Sequence, residues 1–300
     1  MRQNIFVRFF IFILERFSPF THLLLISIFY SGTIVFYKNV INIQYPSLYK
    51  IVIGFLNVFL IFLNLRLLDE IKDYKTDIIV HPERPLARGL ITIKEAKIIS
   101  IVIIGIELIF SLLISPLNTL FLSVVILFSF LMFKEFFVSE FLNKHIYLYA
   151  FTHNPITALI IIYSYSIFPK INIDIPLLLL IIIGCLQALV FEFARKILIL
   201  EYEKKGMPTY SSSIGFVKSI LVTLFFFMIQ SFLVLYIARI LSFNILYYII
   251  NGIYISFYIF ISLLYIFKRI KIVMKIYEYS SAFYIIIFNI SIILEMICRV

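Results

Sequence analysis

Long apolar runs alternate with short polar intervals along almost the whole chain, and none of the runs shows the period-two alternation of a strand. Runs of about the twenty residues a helix needs to cross a bilayer fall at 20–37, 48–68, 96–114, 117–133, 146–168, 176–198, 216–239, 244–267 and 281–298. Ahead of them, residues 4–17 predict an interfacial helix, apolar but carrying Arg8, Glu15 and Arg16. Local signals punctuate the pattern. Pro19 opens the first span, Thr92 to Lys97 (TIKEAK) reads as a capped helix start, and Ser115-Pro116 makes a tight turn. His153-Asn154-Pro155 would unwind or polarise the fifth span. The expected fold is all-α, a polytopic membrane protein of nine transmembrane helices. Without a linker-like shift in composition, residues 1–300 read as a single domain.

Composition agrees and adds an orientation. The chain is 63% hydrophobic and only 14% charged, against about 45–50% and 25% in ordinary soluble domains. Continuous apolar runs exclude a barrel. The two cysteines, Cys185 and Cys298, lie in apolar segments and make neither a disulfide framework nor a metal knuckle. The N-terminal stretch lacks a small-residue cleavage site, so no cleavable signal is expected. The net charge of +10 is spread out and forms no block for nucleic acid. Setting aside Arg66 within the second span, twenty lysines and arginines fall on the side of the N-terminus and five on the other. That bias predicts a cytoplasmic N-terminus and an external C-terminus, in a plasma or inner membrane.

The candidate chemistry is concentrated in Arg66–Arg88, RLLDEIKDYKTDIIVHPERPLAR. Three of the four aspartates in the protein, Asp69, Asp73 and Asp77, recur there every fourth residue, which on a helix sets them along one face. Mg²⁺ accepts one or two protein carboxylates and bridges to phosphate oxygens, a role that suits Asp69 and Asp73. Asp77, one turn further, is the weaker candidate. Arg84 and Arg88 can take further phosphate oxygens bidentately. A second cluster, Glu192, Arg195 and Lys196, ends the sixth span at i, i+3 and i+4. Its glutamate could reach an ion and its two cations a diphosphate. Both clusters also read as ordinary charged helix ends, with Lys72 pairing Asp69 or Asp73 and Glu192 pairing its own neighbours. Their shared depth and side favour a site.

These residues resemble the UbiA-type intramembrane prenyltransferases. The family's first motif, N-D-x-x-D-x-x-x-D followed by R-P-L-x-x-G, is matched by Asp69, Asp73 and Arg84-Pro85-Leu86-Ala87-Arg88-Gly89, whereas Leu65 and Arg66 stand where it has Asn and Asp. Its second, a D-x-x-x-D-like motif, is reduced here to Glu192-Phe193-Ala194-Arg195-Lys196, and Gly206–Gly215 (GMPTYSSSIG) is similar to its loop before helix seven. The resemblance implies nine helices around a cytoplasm-facing cavity. It also implies a Mg²⁺-dependent transfer of an isoprenoid chain from a prenyl diphosphate to a lipophilic acceptor, of aromatic type by analogy. Asp69, Asp73 and Glu192 would be catalytic and hold metal; Arg84, Arg88, Arg195 and Lys196 would hold diphosphate. With Lys196 in place of an acid, one ion in place of two is one outcome. The competing readings are cyclisation or hydrolysis of the same diphosphate, and a non-catalytic lipid-binding protein or transporter.

Smaller features complete the expectations. Glu107 lies mid-span, where ionisable groups are usually functional. His153 could accept a proton, and Tyr210 with Ser211–Ser213 could close over a diphosphate. The thirty-four Phe and twenty Tyr cannot be sorted into pocket and lipid-facing members by pattern.

Overall fold

A computed structural model describes residues 4–203 and 208–298. Gly206 and Met207 of the loop resembling the family's, and Arg299, lie outside the described residues. Among the described residues, nine segments are long and apolar enough to cross a membrane. They are α2 (Pro19–Ile41), α3 (Leu48–Lys72), α5 (Ile93–Ile114), α6 (Pro116–Phe133), the pair α8 and α9 (Ile146–His153 and Pro155–Tyr165), α10 (Ile175–Arg195), α12 (Phe216–Ile240), α13 (Ile245–Phe267) and α14 (Lys271–Ile297). Short helices lie outside them: α1 (Ile5–Arg16), α4 (Tyr74–Val80), α7 (Ser139–Lys144) and α11 (Tyr210–Ile214).

The spans pack in chain order into a ring that closes where α14 meets α2, and α10 and α14 also touch. Accordingly α10 is the most enclosed span, with 61% of its apolar window buried. Glycine permits the tightest crossings. A Cβ at Gly54 would run into the Tyr30 hydroxyl, and one at Gly32 into the Asn289 amide, so α2 approaches α3 and α14 as only small residues allow.

Local chemistry sets the boundaries. The Thr92 hydroxyl accepts from the Glu95 backbone N–H (3.2 Å) while the Glu95 carboxylate accepts from the Thr92 N–H (2.9 Å), a capping box that starts α5 three residues before the apolar pattern does. The fifth span is interrupted at Asn154, with Pro155 opening α9. The last span begins ten residues earlier than its apolar run, at Lys271. Its first turns are charged, and a Lys275–Glu278 pair (2.6 Å) supports them.

Helix α1 is amphipathic with its charges turned inward. Arg8, Phe12, Glu15 and Arg16 share one face, where Arg8 and Phe12 are buried, while Phe6, Val7, Phe10 and Leu14 are exposed. The charged face lies on the connection between α3 and α5. Arg8 grips Glu95 (2.6 and 2.9 Å) and the Leu90 carbonyl (2.9 Å), Glu15 takes Arg88 (2.7 Å), and Arg16 reaches Glu70 (2.7 Å).

Candidate active site

The acid ladder does not survive as one helix. α3 stops at Lys72, Asp73 caps it by donating its N–H to the Asp69 carbonyl (2.9 Å), and the chain turns into α4. The turn separates the acids. Asp69, its side chain half exposed, pairs with Lys72 at 3.0 Å. Asp77 is carried away into a buried ion pair with Arg84 (2.6 Å). Glu70, 1% exposed, sits between Arg16 (2.7 Å) and Arg66 (2.5 Å). Arg66, where the family has an acid, is thereby a partner for Glu70.

The basic loop is shaped by its own sequence. Gly89 adopts φ 76, which a Cβ would oppose, and the turn lets Leu90 donate its N–H to the Pro85 carbonyl (2.9 Å). Arg84 is held by Asp77, and Arg88 by Glu15 and the Glu83 carbonyl (2.7 Å). Both arginines are therefore engaged on the α1 side of the site.

Across the mouth, Glu192 accepts from Arg195 (2.5 Å) and Lys196 (2.8 Å). The end of α10 is fixed from two directions. Tyr210 donates its N–H to the Lys196 carbonyl (3.1 Å), and the Tyr265 hydroxyl donates to the Ile197 carbonyl (2.9 Å). Tyr210 is fully buried against Tyr147 and Phe193, with ring centroids 4.6 and 4.9 Å away, and Ser211 donates to Glu203 (2.6 Å). These residues brace Lys196.

One side chain joins the two clusters. Tyr149 on α8 accepts a hydrogen bond from the Lys72 ammonium (2.7 Å), and its ring carries Lys72 at 5.4 Å and Lys196 at 5.8 Å. His153, one turn on, stacks on the same ring with centroids 4.0 Å apart. Lys72 from α3 and Lys196 from the end of α10 thus both approach one aromatic ring. Neither Tyr149 nor Lys72 was selected by sequence reasoning as a site residue. One tyrosine among twenty carries no pattern, although its i, i+4 spacing to His153 is a faint one.

The electrostatics of Asp73 follow. Crowding by protein at the mouth raises its carboxyl first, and the Asp69 and Asp77 carboxylates add to that. Lys72 and Lys196 oppose it, and the balance is a pKa pushed up to about 6. An acid sensitive to Lys196 lies within electrostatic reach of the second cluster.

Does this donor set suit a metal? Among the described residues, no group of three or more His, Cys, Asp or Glu could hold an ion unaided. Asp69, its side chain half exposed, and Asp73, also exposed, offer two hard oxygen donors one turn apart, which fits Mg²⁺ sharing its shell with water and phosphate. Glu192 already serves two cations. The residues present fit one ion on the α3 side, facing a cationic wall on the α10 side.

Comparison with known proteins places the fold. The UbiA prenyltransferase family matches residues 21–276. No curated protein matches the chain by sequence. Among solved structures, a digeranylgeranylglyceryl phosphate synthase is 22% identical, with TM-score 0.66 over 95% of this chain and 99% of that one. A UbiA homologue from Aeropyrum pernix K1 is 13% identical, with TM-score 0.64 over 92% and 98%. One from Archaeoglobus fulgidus, bound to GPP and Mg²⁺, is 14% identical, with TM-score 0.60 over 94% and 99%. At these identities the likeness is one of fold.

Proposed function

Because the chain belongs to the UbiA prenyltransferase family, we propose that it transfers an isoprenoid chain from a prenyl diphosphate to a lipophilic acceptor, using Mg²⁺, at the mouth between α3 and α10. The observation that carries this reading is the Lys72–Tyr149–Lys196 bridge, which opposes a carboxylate pair to a cationic wall within one site. The Archaeoglobus relative binds GPP with Mg²⁺ on the same fold, which supports that choice of substrate and ion.

Asp69 and Asp73 would hold the ion, which when bound supplies Lewis-acid charge to the diphosphate oxygens. Lys72, Arg195 and Lys196 hold the remaining negative charge and stabilise it as it grows on the leaving group. The allylic C–O bond breaks with its electrons going to diphosphate; the acceptor then bonds to that carbon and loses a proton. Glu192 orients Arg195 and Lys196, and its place among the metal ligands is the secondary role. Arg84 and Arg88 are each one exchange from the substrate, since a diphosphate outcompetes a single carboxylate for a guanidinium. The apolar spans exclude water from the allylic cation. We read the whole chain as one domain with its N-terminus in the cytoplasm, following the charge bias.

Purified protein given labelled prenyl diphosphate and Mg²⁺, with and without aromatic acceptors, tests the reading. The expected result is acceptor-dependent loss of diphosphate with label joined to the acceptor. Acceptor-independent release of a cyclised or hydrolysed product would replace transfer with those reactions. Failure to bind any prenyl diphosphate would remove the enzyme reading.

A further inference from the structure

Away from the polar mouth, α3, α5 and α6 enclose a cavity of about 440 Å³, lined by Leu65, Leu68, Ile104, Glu107, Ser123 and Phe130 among others. Its walls are largely apolar, and it opens sideways: Ser123, Leu127 and Phe130 are exposed on the face of α6 that meets lipid. Along α3 the lining residues Ile61, Leu65 and Leu68 span roughly 10 Å at the helical rise. Leu68 immediately precedes Asp69, so the cavity runs from mid-membrane toward the site.

Glu107 breaks the apolar lining. It is 1% exposed, and its Oε1 is buried without a hydrogen-bond partner. Its neighbours do not supply one. Asn57 donates to the Glu107 backbone carbonyl (3.0 Å) and to the Tyr163 hydroxyl (2.6 Å). Ser123 and Ser129, both lining the cavity, donate to carbonyls of their own helix, Thr119 (2.9 Å) and Val125 (2.7 Å). Asn64 accepts from Ser100 (2.6 Å). An acceptor so placed costs about 1–3 kcal/mol while it stays unmatched.

Whatever fills this cavity must therefore be apolar along its length and bring one donor. A plain hydrocarbon tail has nothing to give Glu107. An ammonium would carry a charge into mid-bilayer. A neutral hydroxyl meets both demands. We propose that the cavity between α3, α5 and α6 binds a membrane-dissolved alcohol, its chain against Leu65 and Leu68 and its hydroxyl donating to Glu107.

The test uses the full chain in nanodiscs without diphosphate or Mg²⁺, so its outcome is independent of prenyl transfer. A long-chain alcohol bearing a diazirine is photolysed, and labelled peptides are mapped with unlabelled hexadecanol or hexadecane as competitor. The expected result is labelling around Ile104 and Leu108 on α5 and Leu127 and Phe130 on α6. Hexadecanol should suppress it about tenfold more effectively than hexadecane, the ratio expected from one hydrogen bond. Glu107→Gln, which keeps an acceptor oxygen, should preserve the preference, and Glu107→Leu should erase it. Equal competition by alcohol and hydrocarbon in the unaltered protein would overturn the proposal, because a trapped water then serves Glu107. Labelling confined to other helices would overturn it too. If Glu107→Leu does not fold, the competition in the unaltered protein decides alone.

Discussion

Asp69 and Glu70 are adjacent in the chain and face opposite demands. Glu70 is buried between two arginines, and removing it leaves both uncompensated. Glu70→Ala should lower unfolding stability by about 3–5 kcal/mol in detergent denaturation. Asp69→Asn, at a half-exposed carboxylate, should leave stability within about 0.5 kcal/mol. The same change should cut diphosphate release about a hundredfold, as loss of a charge-stabilising group does. The sequence displays both acids but cannot tell them apart, because the discriminating partner, Arg16, is 54 positions away. Tyr149 poses the same difficulty. Tyr149→Phe keeps the ring beneath both lysines and removes only the acceptor for Lys72, so KM for the diphosphate should rise about tenfold with kcat little changed. A fall in kcat without a change in KM would place the hydroxyl in the chemical step.

Helices were legible where hydrophobicity alone decides them. The apolar runs fix the nine spans to within a few residues, except where a helix continues through charge. α14 gains ten residues by that route and α3 extends over Asp69 to Lys72. The role of α1 was not legible. Its apolar surface announces the membrane interface, but that its charged face clamps the α3–α5 connection depends on Glu70, Arg88 and Glu95, all far along the chain. The clamp has a pH signature. The hydrogen bond from Arg88 holds the Glu15 carboxyl below the usual glutamate range. A lowered folded value means the pair contributes stability at neutral pH and loses it as the pH falls through that value. Both side chains are more than a third exposed, so solvent screening keeps the contribution below about 1 kcal/mol. Glu15→Gln should lower the unfolding midpoint slightly at neutral pH, and the difference should vanish in acid below the glutamate range.

The nine-span ring places α3 and α10 as opposite walls of one mouth, with α8 between them carrying Tyr149. The two motifs could be matched to a family because their acids and arginines stand at recognisable spacings. How they meet could not, because the bridge is made by residues outside both motifs. The charge bias predicts that this mouth faces the cytoplasm. An impermeant thiol reagent should label Lys75→Cys, at an exposed position beside Asp73, only from that side. Labelling from the opposite side would invert the topology. Diphosphate release from a labelled prenyl diphosphate, compared in the unaltered protein and in Asp69→Asn and Asp73→Asn variants with and without Mg²⁺, then decides the matter. The account predicts release that requires Mg²⁺ and falls about a hundredfold in either variant. Release that persists unchanged in both variants would contradict it.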